Sequence, residues 1–149
     1  MASETIPAAL ATWLADHHRV VLVTLRRDGS PQSSNVAAAF DPQTATFRIS
    51  VTADRAKTHN ARRDPRVVVH VLGDDFWSYC SVSGEASLSE VTSRPGDETG
   101  RELLDTYNAI APEPHPDPDE FFAAMVDESR LVLRVRATSH AGSRLPGGD

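Results

Sequence analysis

The chain has 149 residues, a net charge of -6, 40% hydrophobic and 24% charged side chains, and a single cysteine, which suits one domain (1–149) with a core of its own and leaves little room for two. The acidic balance argues against nucleic acid, whose non-specific affinity rests on neutralising phosphates with Lys and Arg. A lone Cys80 rules out an internal disulfide or a cysteine-built zinc site, and no apolar run approaches the ~20 residues of a membrane span.

The opening MASETIPAALATW carries an acid where a secretory signal wants a basic flank, so a cytoplasmic location is expected. Residues 7–17 space Ala8, Ala11, Leu14 and Ala15 at helical intervals, with Thr5 near the start, and predict a short N-terminal helix. Val20 to Leu25 reads as a strand running into Arg27-Asp28-Gly29-Ser30, where Asp-Gly supplies the positive φ angles of a tight hairpin turn. The return strand is Gln32 to Phe40, and Asp41-Pro42 turns it. Thr46 to Val51 then buries Phe47, Ile49 and Val51 at a period of two, which predicts a three-stranded antiparallel meander.

Asp54 is the natural N-cap of a short helix from Arg55 to Arg63 that Pro65 ends. Val67 to Leu72 is a β-branched strand, Gly73-Asp74-Asp75 turns, and Trp77 to Leu88 alternates as a longer strand with Gly84 as a kink or bulge. Glu98 to Ile110 gathers Leu103, Leu104, Tyr107 and Ile110 on one helical face. The following APEPHPDPDE holds four of the ten prolines, and Asp119 caps a second short helix through Phe122 and Met125. Residues 97–127 thus form a helical insertion. Leu131 to Val135 gives the last strand, and 142–149 is a Gly/Pro-rich tail, mobile or docked on a partner. Six short antiparallel strands suit a small barrel filled by its own side chains, so a cofactor would bind outside it, in a groove or at an oligomer interface.

The chemistry concentrates where a strand meets the middle helix, at Ser50-Val51-Thr52-Ala53-Asp54-Arg55-Ala56-Lys57-Thr58. Arg55 and Lys57 fall in the first turn, the wrong end for cations because the helix dipole is already positive there. An anion would remove the conflict: free N–H groups, a guanidinium and an ammonium would converge on a phosphate. Lys57 is also the only lysine in the chain. The bland alternative is two solvated cations pairing with Asp54 or another acid. The six histidines show no H-x₃-H or HExxH spacing, so no metal site is expected. Cys80, in an alternating strand without a nearby His, reads as a packed small residue.

VLVTLRRDGSPQSSNV, FDPQTATFRISVTADRAKTHNARRDPRVVVHV and DDFWSYCSVSGEASL, in that order and spacing, resemble the pyridoxamine 5′-phosphate oxidase-like split β-barrel superfamily. Within it they resemble most the F420-dependent flavin/deazaflavin oxidoreductase B group, with the likeness running from about Val20 to Val135. The resemblance implies a mainly β, six-stranded antiparallel split β-barrel with short flanking helices, forming a homodimer with cofactor clefts at the interface. It implies further that Arg55 and Lys57 bind the phosphate of coenzyme F420, with Thr58 and Asn60 nearby and Ser50, Val51 and Thr52 along the ring or ribityl chain. Gln32, Ser33, Asn35 and Val36 would face the ring system. Trp77, Ser78 and Tyr79 would reach over from the other subunit, and Arg62, Arg63 and Arg66 are candidates for the polyanionic tail. The implied activity is transfer of a hydride from reduced F420 to a small organic acceptor.

Two other readings share these anchors. One is an FMN-dependent oxidase or reductase of the same fold, since FMN offers one phosphate to the same helix. Pyridoxamine phosphate oxidases carry a C-terminal substrate-binding segment with Arg and His, whereas this chain ends RLPGGD. The other is a non-catalytic carrier of F420, haem or another small ligand.

Overall fold

Period-two burial builds the first strand: in β1 (Arg19–Leu25) Val20, Leu22 and Thr24 are buried while the residues between them are not. The computed structural model describes residues 5–146, and no helix among them is long and apolar enough to cross a membrane. The same alternation makes β4 (Thr46–Thr52), β5 (Arg66–Leu72) and β6 (Tyr79–Leu88), with β2 (Pro31–Ala37), β3 (Ala39–Asp41) and β7 (Arg130–Ser143) completing one antiparallel sheet in the order β2-β1-β5-β6-β7-β4-β3. The sheet curls around Leu22, Ile49, Val69, Val71, Val82 and Leu133, with Leu14 of α1 (Ala8–Asp16) packed into the same cluster. Each such side chain contributes about 1.5–3 kcal/mol by leaving water. The mainly β split-barrel class expected from the sequence is the class observed.

The details depart from expectation in instructive ways. Among the described residues seven strands form, not six, because the stretch expected to run from Gln32 to Phe40 breaks at Ala38. β1 ends its pairing at Arg19 opposite Ala37, so there is no neighbour left for Ala39, which pairs instead with Arg48 of β4. The expected meander is therefore absent: β2 and β3 lie on opposite edges of the sheet, and Ala38 links them. In the first hairpin only Gly29 takes a positive φ, 86°, while Asp28 accepts from the Ser30 N–H and hydroxyl.

Asp54 does not cap the middle helix α2 (Ala56–Arg63). The N-cap is Arg55, whose N–H closes a turn onto the Thr52 carbonyl at 3.3 Å, leaving Asp54 in the turn before. Thr5 does not cap α1, whose N-cap is Pro7. Trp77 lies in a turn and not in β6, because Asp75 Oδ1 accepts the Trp77 and Ser78 N–H groups at 2.8 and 3.0 Å. The helix expected behind Asp119 starts earlier, since α4 (Pro118–Asp127) has Pro118 at its first position and Asp117 as its cap.

β7 extends well past Val135. Its polar stretch Thr138-Ser139-His140 hides the strand pattern, yet it pairs with β6 as far as Ser143 opposite Tyr79. Gly142, expected in the tail, is thus in the sheet, and residues 147–149 lie outside the described residues. Gly84 is the bulge the sequence suggested: the register shifts between Ser83 and Gly84, and a Cβ at Gly84 would stand 2.6 Å from the Arg136 carbonyl oxygen.

α3 (Glu98–Ile110) and α4 form a second, smaller core through Leu103, Phe121 and Val132. Glu102 of α3 ties them to the sheet: it accepts from Arg48 Nε at 3.1 Å and Arg134 Nε at 2.8 Å. The Arg134 bonds, then those from Arg48, hold its carboxyl below the usual range against the opposing effect of burial.

Candidate functional site

The end of β4 and the start of α2 are fixed by local bonds. Thr58 is fully buried and donates its hydroxyl to the Thr52 carbonyl at 2.7 Å, while the Thr58 and His59 N–H groups bond the Arg55 carbonyl. The Ala56 and Lys57 N–H groups have no acceptor among the described residues, no side chain caps the helix, and its first turn holds no acid. The Thr52 hydroxyl oxygen is buried without a hydrogen-bond partner.

Lys57 reaches into a cavity of about 500 Å³. Asn35, Val36, Ser50 and Arg130 share its lining on the sheet side, and Leu103, Tyr107, Ile110, Phe121 and Met125 of α3 and α4 roof it. Among the described residues no carboxylate pairs with Lys57 or Arg55. The Lys57 pKa lies below its ordinary value, first because burial penalises the ammonium and then because Arg55 and Arg130 repel it. Three cations thus surround a partly desolvated spot that contains no balancing carboxylate of its own beside the lysine. Arg130 is paired with a carboxylate: Glu128 Oε1 accepts from its Nε at 3.0 Å and lies 2.9 Å from its Nη2, while its Nη1 donates to Ser50 Oγ at 3.3 Å.

The expected site residues divide into three groups. Asn35, Val36, Ser50 and Lys57 line the cavity together. Arg55 is exposed at the helix start, near enough to Lys57 to act on its charge but outside the cavity lining. Val51, Thr52, Thr58, Asn60 and Gln32 form the support beneath: Val51 points into the main core, and Asn60 Nδ2 donates to Thr24 Oγ1 at 3.1 Å and Gln32 Oε1 at 2.8 Å.

Ser33 is exposed on the strand face opposite Gln32 and Val36. Trp77, Ser78 and Tyr79 do not line the cavity within the chain; Trp77 is exposed beside Phe76, and Tyr79 stacks on His70 at 5.1 Å. Arg63 is bound to the Leu25 carbonyl and to Asn60, and Arg66 to Asp64, whose carboxyl that contact lowers to about 2. Cys80 is buried, and burial pushes its thiol up to about 11, so it is packing and no nucleophile.

Sequence reasoning missed Arg130 and the role of the helical insertion as a roof. Arg130 reaches the site because it pairs with Thr52 across β4 and β7, a register that links residues far apart in the chain. The apolar face of α3 was visible in the sequence, but that face also packs the second core, so its pattern did not distinguish roof from packing.

A family model described as pyridoxamine 5′-phosphate oxidase matches residues 6–143. The F420H(2)-dependent biliverdin reductase of Mycobacterium tuberculosis (strain CDC 1551 / Oshkosh) is 30% identical over 104 residues, covering 70% of this chain and 72% of that protein. Among solved structures, an F420 reductase aligns with a TM-score of 0.62 and 25% identity, over 91% of this chain and 98% of that one. The conserved hypothetical protein Rv2991 from Mycobacterium tuberculosis aligns with a TM-score of 0.70 at 20% identity, over 99% and 92%, a likeness of fold.

Proposed function

Because this chain belongs to the pyridoxamine 5′-phosphate oxidase family, we propose that it is an oxidoreductase that uses coenzyme F420 to reduce a small organic acceptor. The observation that carries this is Lys57, an ammonium without an ionic partner among the described residues, held in a cavity beside Arg130 and next to Arg55. The residues present fit a phosphate: Arg55 and Lys57 supply charge, and the unbonded Ala56 and Lys57 N–H groups supply directed donors. The biliverdin reductase and F420 reductase similarities favour F420 over FMN as the group that brings this phosphate.

When bound and reduced, F420 supplies the hydride. The chain's own work is binding and orientation. Arg55 and Lys57 anchor one end, Ser50, Asn35 and Val36 lie along the cavity wall, and the apolar roof excludes water from the reacting face. In this reading the protein acts as a homodimer, in which Trp77 of the partner subunit and its neighbours close the cleft. The exposure of Phe76 and Trp77 side by side supports it, because paired exposed aromatics are enriched where partners dock.

Fluorescence titration of the purified protein with F420 and, in parallel, FMN tests the assignment. F420 is expected to bind more tightly, and reduced F420 to be consumed in a screen of acceptors. Tighter FMN binding would make it an FMN enzyme of the same fold, and F420 binding without turnover of any acceptor would make it a carrier.

A further inference from the structure

Between α3 and α4 the chain alternates Pro112, Pro114, Pro116 and Pro118 with other residues. A proline has no N–H, so this segment has few donors with which to fasten itself. His115 takes part in two of the bonds it makes: the His115 N–H donates to Asn108 Oδ1 of α3 at 2.9 Å, and the ring Nδ1 accepts from the Asp117 N–H at 3.0 Å. A backbone N–H can only donate, so the second bond requires an Nδ1 without a proton and a neutral ring protonated on Nε2. Asp117 in turn sets the start of α4, its Oδ1 accepting from the Glu120 N–H at 3.2 Å and its carbonyl from the Phe121 N–H at 3.1 Å. The half-buried ring lies 5.2 Å from the Tyr107 ring and 5.4 Å from that of Phe121, and both of these line the cavity. One side chain thus ties α3 to the first turn of α4, and it does so in one protonation state.

The charged surroundings of the ring are sparse. One helical turn from Tyr107 stand Leu103, Leu104, Ile110 and Ala111, and one turn from Phe121 stand Asp117, Pro118, Ala124 and Met125. Tyr107 and Asp117 are therefore the titratable groups on the helix faces turned to the ring, with Glu113 in the loop before it. A proton on Nδ1 would meet the Asp117 N–H donor to donor, and the carboxylate that could receive it is the α4 cap. In either case the bond that fixes the start of α4 is lost.

We propose that His115 is a proton-operated clip on the roof of the cavity: neutral, it holds α4 against α3 and the roof closed, and protonated, it releases α4 and weakens ligand binding. Imidazole is the side chain that ordinarily changes charge between about pH 5 and 8, so the roof loosens on mild acidification. That the closed roof serves a bound cofactor rests on the reading above, whereas the clip itself does not.

Two readouts need no ligand. Imidazole nitrogen NMR of the full-length protein near neutral pH should show His115 neutral with its proton on Nε2, and a proton on Nδ1 there would overturn the proposal. Hydrogen exchange at the Asp117, Glu120 and Phe121 amides, corrected for its intrinsic pH dependence, should be about threefold to tenfold faster at about pH 5.5 than at about pH 7.5, as loss of one hydrogen bond implies. His115→Asn offers an amide oxygen in place of Nδ1 and takes up no proton, so its exchange should not change in this way. A wild type that does not change, or a variant that accelerates equally, would overturn the clip. F420 titration at the same two pH values reads the site: on acidification the wild type should lose about threefold more affinity than His115→Asn. Titration of the ligand and of the other histidines is common to both proteins and cancels, so equal losses would overturn the coupling of clip to cavity. A clip that behaves as expected in a protein that binds no F420 at either pH would instead overturn the cofactor reading and uphold the clip.

Discussion

The starts of α2 and α3 solve the same physical problem in opposite ways. At α3 the Asp97 carboxylate accepts from the Gly100, Ser93 and Arg94 N–H groups and from the Thr92 hydroxyl at 2.7–3.2 Å, and Glu98 adds an acid to the first turn. Burial pushes the Asp97 pKa up, but those four bonds outweigh it and hold the carboxyl well below its usual range. At α2 an arginine stands where Asp97 stands, a lysine follows two residues on, and no side chain answers the N–H groups. The first arrangement is complete in itself and serves stability. The second lacks an acceptor and carries surplus positive charge, which is what a site for an external anion requires.

The contrast can be broken by exchange. The largest effect is expected from Arg55→Ala with Lys57→Ala: loss of two charge-assisted contacts should weaken F420 binding by about 3–5 kcal/mol without lowering stability. Fluorescence titration beside a denaturant melt measures both, and undiminished affinity would falsify the phosphate assignment. Asp97→Ala should do the reverse, costing about 2 kcal/mol of stability through the lost cap while leaving F420 affinity as it was. Arg55→Asp gives α2 the cap it lacks. It should stabilise the ligand-free protein by about 1 kcal/mol in urea unfolding and repel the cofactor.

The smallest and most diagnostic effect is in pH. Lys57 holds its proton less tightly folded than unfolded, so between its lowered pKa and 10.5 the unfolded chain binds more protons and stability rises with pH. Over the same window affinity for an anion should fall, because the ammonium is being lost. Lys57→Met should flatten both curves in melts and titrations run across alkaline pH, and a curve that stays unchanged would place the titrating group elsewhere.

What could be read from the sequence was whatever local chemistry decides. The bounds of α3 at Glu98 and Ile110, the bulge at Gly84 and the cationic start of α2 all follow from neighbours within a few residues. What could not be read was set across the sheet. Whether Ala38 continues a strand depends on where β1 runs out of partners, and the length of β7 depends on β6 offering a mate as far as Tyr79. Arg130 enters the site through its pairing with Thr52, which no short motif records. Capping was misjudged at Asp54 because one backbone bond, Arg55 N–H to the Thr52 carbonyl, moved the helix start by a residue.

The roof stands on its own foundation. Leu103, Phe121 and Val132 are packed separately from the barrel interior, and Glu102 rivets that unit to Arg48 and Arg134. Surface positions such as Tyr107, Ile110 and Met125 can therefore drift during evolution without disturbing the barrel or the turn after β4. If the chain is the reductase proposed above, a lineage built on this plan is free to change its acceptor while keeping its cofactor, and diversity among its members should gather on the two roofing helices.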